Sequence, residues 1–330
     1  MVKRSLLIII SIISIVATIF LSLAFGARDI NFIEVLDTLI HTKKETLIQV
    51  VIWERVPRTI FGLIAGLSLG VSGALMQGIT RNPIADPSVL GVNTGASLFV
   101  VIGIVFFNIN SAFLYILLAI LGAFSAAIFV YVVGSLGFGG VTPIKLALAG
   151  TVTSIALTSV TNAIVLPNAE NLNSFRFWSV GSLSGATYQG ILAMIPFFLI
   201  GLLIAFIISN PLNALALGDE LATGLGARPT MIRLLGAISG VILCGSVTAI
   251  AGPIGFIGLM VPHVIKIIVG TNQKLLLPYS GIGGALLLLN ADILGRVIGT
   301  PSELEVGIIT AFIGAPILIV IVMRSKVDTK

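Results

Sequence analysis

Residues 59–79 read TIFGLIAGLSLGVSGALMQGI. The stretch carries no charge, and an α-helix needs only about 20 apolar residues to cross the roughly 30 Å of hydrocarbon in a bilayer. Gly62, Gly66 and Gly70 recur every fourth residue, with Gly73 just beyond. Lipid gives helices no hydrophobic reason to associate, so close backbone approach at small residues has to hold them together. The stripe therefore predicts a helix packed centrally among neighbours rather than backbone lining a pore.

Composition extends this reading to the whole chain. Of 330 residues, 57% are hydrophobic and only 9% charged, against about a quarter charged in a soluble domain. No Asp, Glu, Lys or Arg occurs between Asp86 and Lys145, Lys145 and Glu170, Arg176 and Asp219, or Arg233 and Lys266. The solvent facing most of the surface is lipid. The single cysteine, Cys244, excludes a disulfide framework and a cysteine metal site. His41 and His263 stand in no metal-ligand motif. The net charge of +5 is read as setting orientation in a membrane, not as a nucleic-acid footprint.

Apolar stretches between Gly, Pro and charge punctuation predict an all-α polytopic membrane protein, a single permease-like domain over 1–330 with about ten spans. They fall near 5–25, 59–79, 89–107, 113–133, 144–165, 190–208, 232–250, 254–270, 276–294 and 305–323, the eighth short and interrupted by Pro262. The first is longer than a signal-peptide core and is read as retained. With the N-terminus in the cytoplasm, eleven Lys and Arg fall inside and seven outside, while four acidic residues fall inside and nine outside. This obeys the positive-inside tendency and puts both termini inside. Residues 26–58 are then an external segment whose INFIEVLDTLI lies along the membrane surface, and 209–231 a cytoplasmic segment of short helices. Spans two to five and seven to ten form two groups of four with opposite topology, a candidate inverted repeat.

No catalytic or metal-ligand cluster and no phosphate-binding GxxxxGK[ST] loop is visible, so no cofactor is expected. Span centres also lack the ionisable residues of proton- or sodium-coupled carriers. Lys145 and Asp292 sit near span ends, where snorkelling accounts for them. If transport is active, its energy comes from a separate motor subunit. A secondary carrier working without an ATPase is the alternative of a different class.

Four segments carry a resemblance. They are RVPRTIFGLIAGLSLGVSGALMQGITRNPIADPSVLGVNTGAS from Arg55, GDELATGLGARP from Gly218, AGPIGFIGLMVPHVIK from Ala251 and ADILGRVIGTPSELEVGIITAFIGAPI from Ala291. In this order they resemble the FecCD family, the permeases of iron-siderophore, haem and cobalamin importers, which are membrane subunits of type II ABC importers. The resemblance implies two permease subunits around one pathway, a pair of ABC ATPase subunits and a substrate-binding protein on the outer face. It assigns Arg55, Arg58 and Arg296 to docking of acidic residues on that binding protein. It assigns Gly218, Asp219, Glu220, Leu221, Ala222, Gly224, Leu225, Gly226 and Arg228 to the seat on the ATPase. Asn82 and Ile84, with Thr142, Pro143 and Ile144, fall where the family places its cytoplasmic gate, although the second stretch departs from the small hydroxylated pair of the cobalamin permease. Asp86 in RNPIADP looks more like the siderophore permeases, so a ferric siderophore is the implied cargo, with haem and cobalamin as alternatives. The implied location is the cytoplasmic membrane of a bacterium.

Overall fold

The computed structural model describes residues 4–26, 28–41, 46–109, 111–136, 143–167, 179–300 and 302–325. Among them no strand occurs, and the helices in chain order are α1 (Arg4–Ala24), α2 (Phe32–His41), α3 (Leu47–Thr80), α4 (Val92–Phe107), α5 (Ala112–Ser135), α6 (Pro143–Val165), α7 (Tyr188–Ala216), α8 (Asp219–Gly224), α9 (Pro229–Ala251), α10 (Ile257–Val269), α11 (Gln273–Ile298) and α12 (Val306–Ser325). Among the described residues, seven helices are long and apolar enough to span a membrane, and α4, α10 and α12 are shorter apolar helices. These coincide in order with the predicted spans, while α2 and α8 lie in predicted connections.

Two boundaries differ from the hydropathy reading. α3 begins at Leu47, well before residue 59, because Thr46 and Gln49 form a capping box: the Gln49 amide N–H donates to Thr46 Oγ1 (3.3 Å) and the Thr46 N–H to Gln49 Oε1 (3.2 Å). The later part of the predicted external segment is thus the start of α3, whose charges Glu54, Arg55 and Arg58 had ended the apolar count. α7 runs on through Pro211 to Ala216, since Leu212 and Leu215 still have a core to bury against. The predicted segment 209–231 therefore reduces to α8 and the turns on either side of it.

α3 is the hub. In its most apolar window 78% of the residues are buried, against 17% for α1 at the periphery. The glycine stripe meets a second one on α11. A methyl group at Gly66 would overlap the Gly284 carbonyl, and one at Gly70 the Ser280 carbonyl. Gly73 is pressed in the same way against the Gly258 backbone of α10, and Gly95 of α4 against Gly122 of α5. The packing reading of the stripe holds.

α10 continues through Pro262 instead of breaking there. Proline has no N–H to give the carbonyl four residues back, which is that of Gly258. The side chain of Gln77 on α3 supplies the missing donor, with Nε2 at 3.2 Å from Gly258 O and 3.0 Å from Leu259 O. The order long helix, irregular connector, short helix occurs twice, as α3 to α4 through 81–91, where Pro87–Leu90 form a single 3-10 turn, and as α9 to α10 through 252–256.

A leucine at Gly66 cannot be accommodated by rotamer change, because it meets backbone. Gly66→Leu is expected to cost about 3 kcal/mol or more, at the upper end of overpacking penalties, and to lower the melting temperature of the purified protein. Gly185→Ala, where a methyl group meets nothing within 4 Å, should leave it unchanged.

Candidate functional site

Two charged clusters mark the two ends of α3. Arg58 and Arg81 are separated by 23 residues of sequence, about 35 Å along a helix at 1.5 Å per residue. That is slightly more than the hydrocarbon thickness.

At the first end the structure brings together Arg55, Arg58 and Arg296, which come from distant parts of the chain. Their donors, however, are spent inside the protein. Arg55 is buried, and its guanidinium donates to the carbonyls of Leu23 (2.8 Å), Ala24 (3.0 Å) and Arg28 (2.8 Å). It thereby satisfies the orphan carbonyls at the end of α1 and complements the negative end of that helix dipole. Arg296 is 1% exposed. Its Nη1 donates to Ser22 O (3.0 Å), its Nη2 to Ser22 Oγ (3.1 Å), and its Nε lies 3.1 Å from Asp292 Oδ2. Thr59 Oγ1 donates to Arg55 O (2.9 Å), so the hydroxyl contact between Ser22 and Thr59 (2.8 Å) has Ser22 as donor, leaving Ser22 Oγ to accept from Arg296. Arg58 donates through Nε (3.1 Å) and Nη2 (2.7 Å) to Asp292, and through Nη1 (2.6 Å) to Glu303.

Neither Arg55 nor Arg296 is therefore presented to an approaching protein; their desolvated charges fasten α1 to α3 and to α11. Asp292 does not snorkel. It is 1% exposed and lies between two arginines, which a short carboxylate on the inner face of α11 can reach and the lipid side cannot offer. Sequence reasoning missed Ser22, Gly26, Asp292 and Glu303. The signal available was Gly26, where a methyl group would sit 2.6 Å from Arg55 Nη2: only glycine leaves the guanidiniums room.

At the opposite end, α8 is the predicted seat. Gly218 caps it with φ 119° and Gly226 follows it with φ 80°, backbone values that only glycine adopts without strain. Ala222 is buried, whereas Leu221, Leu225 and Glu220 point outward, Leu225 with 68% of its surface exposed. Arg228 caps α9 just beyond, ahead of Pro229 in its first turn. Asp219 fixes the unit. It accepts a bidentate pair from Arg233 of α9 (2.7 and 2.8 Å) and a further bond from Arg81, the left-handed C-cap of α3. The Arg233 hydrogen bonds, then the charges of Arg233 and Arg81, hold the Asp219 carboxyl below the usual aspartate range.

The described residues expected to form the gate lie at this same end. Asn82 closes a turn directly after α3, its Oδ1 accepting from Ile84 N (3.1 Å), and Ile84 is exposed. Asp86 caps the following turn through Ser88 N (2.8 Å). Burial pushes its carboxyl upward, against the opposing Ser88 bonds. Thr142 lies outside the described residues. Pro143 opens α6, and Ile144 in its first turn is 81% exposed. Thr151, Ile155, Thr158 and Asn162 continue that exposed stripe at helical spacing.

The sequence profile of the FecCD transport family matches residues 13–324. The chain belongs to this family. It is 43% identical over 305 residues to the ferric enterobactin transport system permease protein FepD of Escherichia coli (strain K12), covering 92% of this chain and 91% of that one. It is 40% identical over 327 residues to the Fe(3+)-citrate import system permease protein YfmD of Bacillus subtilis (strain 168), covering 98% and 96%. The fold matches a metal-chelate type ABC transporter solved in an inward-facing conformation, with a TM-score of 0.79 at 28% identity over 95% of this chain and 97% of the other. This FecCD chain is a membrane-spanning permease subunit.

The two clusters of the permease should respond differently to mutation. Asp292→Ala strands two buried arginines and is expected to cost about 3–5 kcal/mol, read as lost yield and melting temperature. Asp219→Ala breaks a largely solvated cluster and should cost at most about 1 kcal/mol. Because the folded pKa of Asp219 is lowered, its contribution is present above the ordinary aspartate pKa and is lost as pH falls through the lower folded value. The clamp should hold unchanged from neutral to mildly acidic pH in a melting series.

Proposed function

We propose that this permease carries a ferric siderophore inward across the cytoplasmic membrane of a bacterium, driven by ATP hydrolysis on a separate pair of ATPase subunits. The observation that carries the reading is α8, a six-residue helix that exposes Leu221 and Leu225 while Asp219 ties it to both α3 and α9. A push on such a unit is passed to the hub helix, and a carrier without a motor has no need of it. The similarity to permeases named for ferric enterobactin and Fe(3+)-citrate supports the cargo class.

Orientation follows from the charge bias, with the Asp219 end and both termini in the cytoplasm. A second permease subunit would cover the α6 stripe, since Thr151, Thr158 and Asn162 suit a protein interface or an aqueous path better than hydrocarbon. At the outer end Arg58 is the arginine whose partner, Glu303, is itself exposed. Contact with the binding protein would run through that pair, with Arg55 and Arg296 holding it in position.

Leu225→Glu combined with Glu220→Lys is expected to abolish co-purification of the ATPase while leaving expression and melting temperature intact. Retained co-purification with full uptake would remove α8 from the coupling role. Uptake of a radioactive iron-loaded siderophore into proteoliposomes holding the whole transporter should require ATP inside the binding-protein-free face. Transport of haem or cobalamin instead would replace the cargo, and uptake without ATP would favour a secondary carrier.

A further inference from the structure

α2 is bound to the rest of the protein along only one side. Val35 is buried against Leu23, Ala24, Ile30 and Ile52, with Leu39 packed beside it. Phe32 meets Phe25 edge to face, ring centroids 6.0 Å apart. Asn31 opens the helix by accepting from Ile33 N (3.1 Å). These contacts fix α2 where α1 ends and α3 begins, beside the buried arginines, at the level where the spans leave the hydrocarbon.

The rest of the helix divides into two sectors. At 3.6 residues per turn, Phe32, Leu36, Ile40 and Ile33 fall within an arc of about 100°. All four are exposed, Ile33 at 73% and Ile40 at 71%. The next arc carries Asp37, His41 and Glu34, of which Asp37 and His41 pair with each other at 2.9 Å. Going round, the helix shows one side to protein, one to apolar solvent and one to water. A helix in open solution has no use for the middle sector. α1, on whose last turns α2 rests, exposes Leu6, Ile9, Ile12, Ile13 and Val16 over its first half, so the helix that carries α2 is itself a lipid-facing span.

We infer that α2 is an interfacial anchor that seats Phe32, Ile33, Leu36 and Ile40 in the acyl boundary of the bilayer and leaves Glu34, Asp37 and His41 at the headgroup and water side. Its occupant is lipid, because the apolar arc lies between the arc held by the ends of two membrane spans and the charged arc, the order in which a helix lying in the interface meets protein, acyl chains and water. The anchor fixes the height of the end of α1 whose carbonyls Arg55 holds, and so the depth of the arginine cluster in the membrane.

The test is a depth measurement on the full transporter reconstituted in phosphatidylcholine–phosphatidylglycerol vesicles. Spin labels are placed singly at Ile33→Cys, Ile40→Cys and Asp37→Cys in a Cys244→Ser background, each checked for ATP-dependent uptake and melting temperature. Labels at 33 and 40 should collide with dissolved oxygen several-fold more than with a water-soluble nickel chelate, and the label at 37 should show the reverse. Nickel accessibility at all three positions would overturn the anchor. Low accessibility to both reagents at 33 and 40 would also overturn it, showing a protein cover instead. In detergent-free vesicles, Ile33→Asp with Ile40→Asp should raise nickel access at a label on Leu36→Cys several-fold; no change there would equally sink the proposal.

Discussion

The backbone contact between α3 and α11 is what the rest of the structure depends on. Gly66 faces Gly284 and Gly70 faces Ser280 so closely that neither helix has room for a methyl group. At this separation dispersion acts between whole backbones, and in lipid that is the attraction available. α3 then reaches α10 through Gly73 and Gly258, and α9 through the bond from Ser72 Oγ to Gly240 O (2.8 Å). Helices that cannot draw so near, such as α1, need another fastener.

That fastener is ionic, and it sits where burial can make it strong. Arg55 and Arg296 reach across to the end of α1, and Arg58 with Asp292 locks α3 to α11 at the same level. A buried pair of this kind contributes little relative to an apolar pair of equal volume, yet is costly to break. Its value is registry. Three helices are held at one height by donors that fit only one arrangement.

The helix order and the central place of α3 were legible in the sequence, because hydrocarbon thickness and backbone satisfaction leave a chain this apolar few alternatives. Gly218 and Gly226 were legible as turn positions, and both take positive φ; the assignment of 218–228 to an ATPase contact came from the resemblance. The arginine cluster was legible as a group and misread in its use. Charge and hydropathy say which end of a span Arg55 and Arg296 occupy, but not whether they turn outward or inward. That is decided by the angular position of Asp292 and Ser22 on neighbouring helices, a three-dimensional property. Gln77 was invisible for the same reason: its role appears only once Pro262 is seen to leave the Gly258 carbonyl without a donor.

The two ends of α3 differ in how they would move. At the Arg58 end the charges are desolvated, and separating them would strand each one in a medium that cannot solvate it. At the Asp219 end the partners are largely hydrated, so water replaces each bond as it opens and the exchange is nearly neutral. The connectors 81–91 and 252–256 lie beside helices too short to span the hydrocarbon on their own, and both are free of helical backbone bonds along most of their length. Alternating access requires two arrangements of comparable free energy. Two such arrangements are easier to build at the end that carries α8, where water replaces each opened bond, than at the Arg58 end, where each separated charge would be stranded.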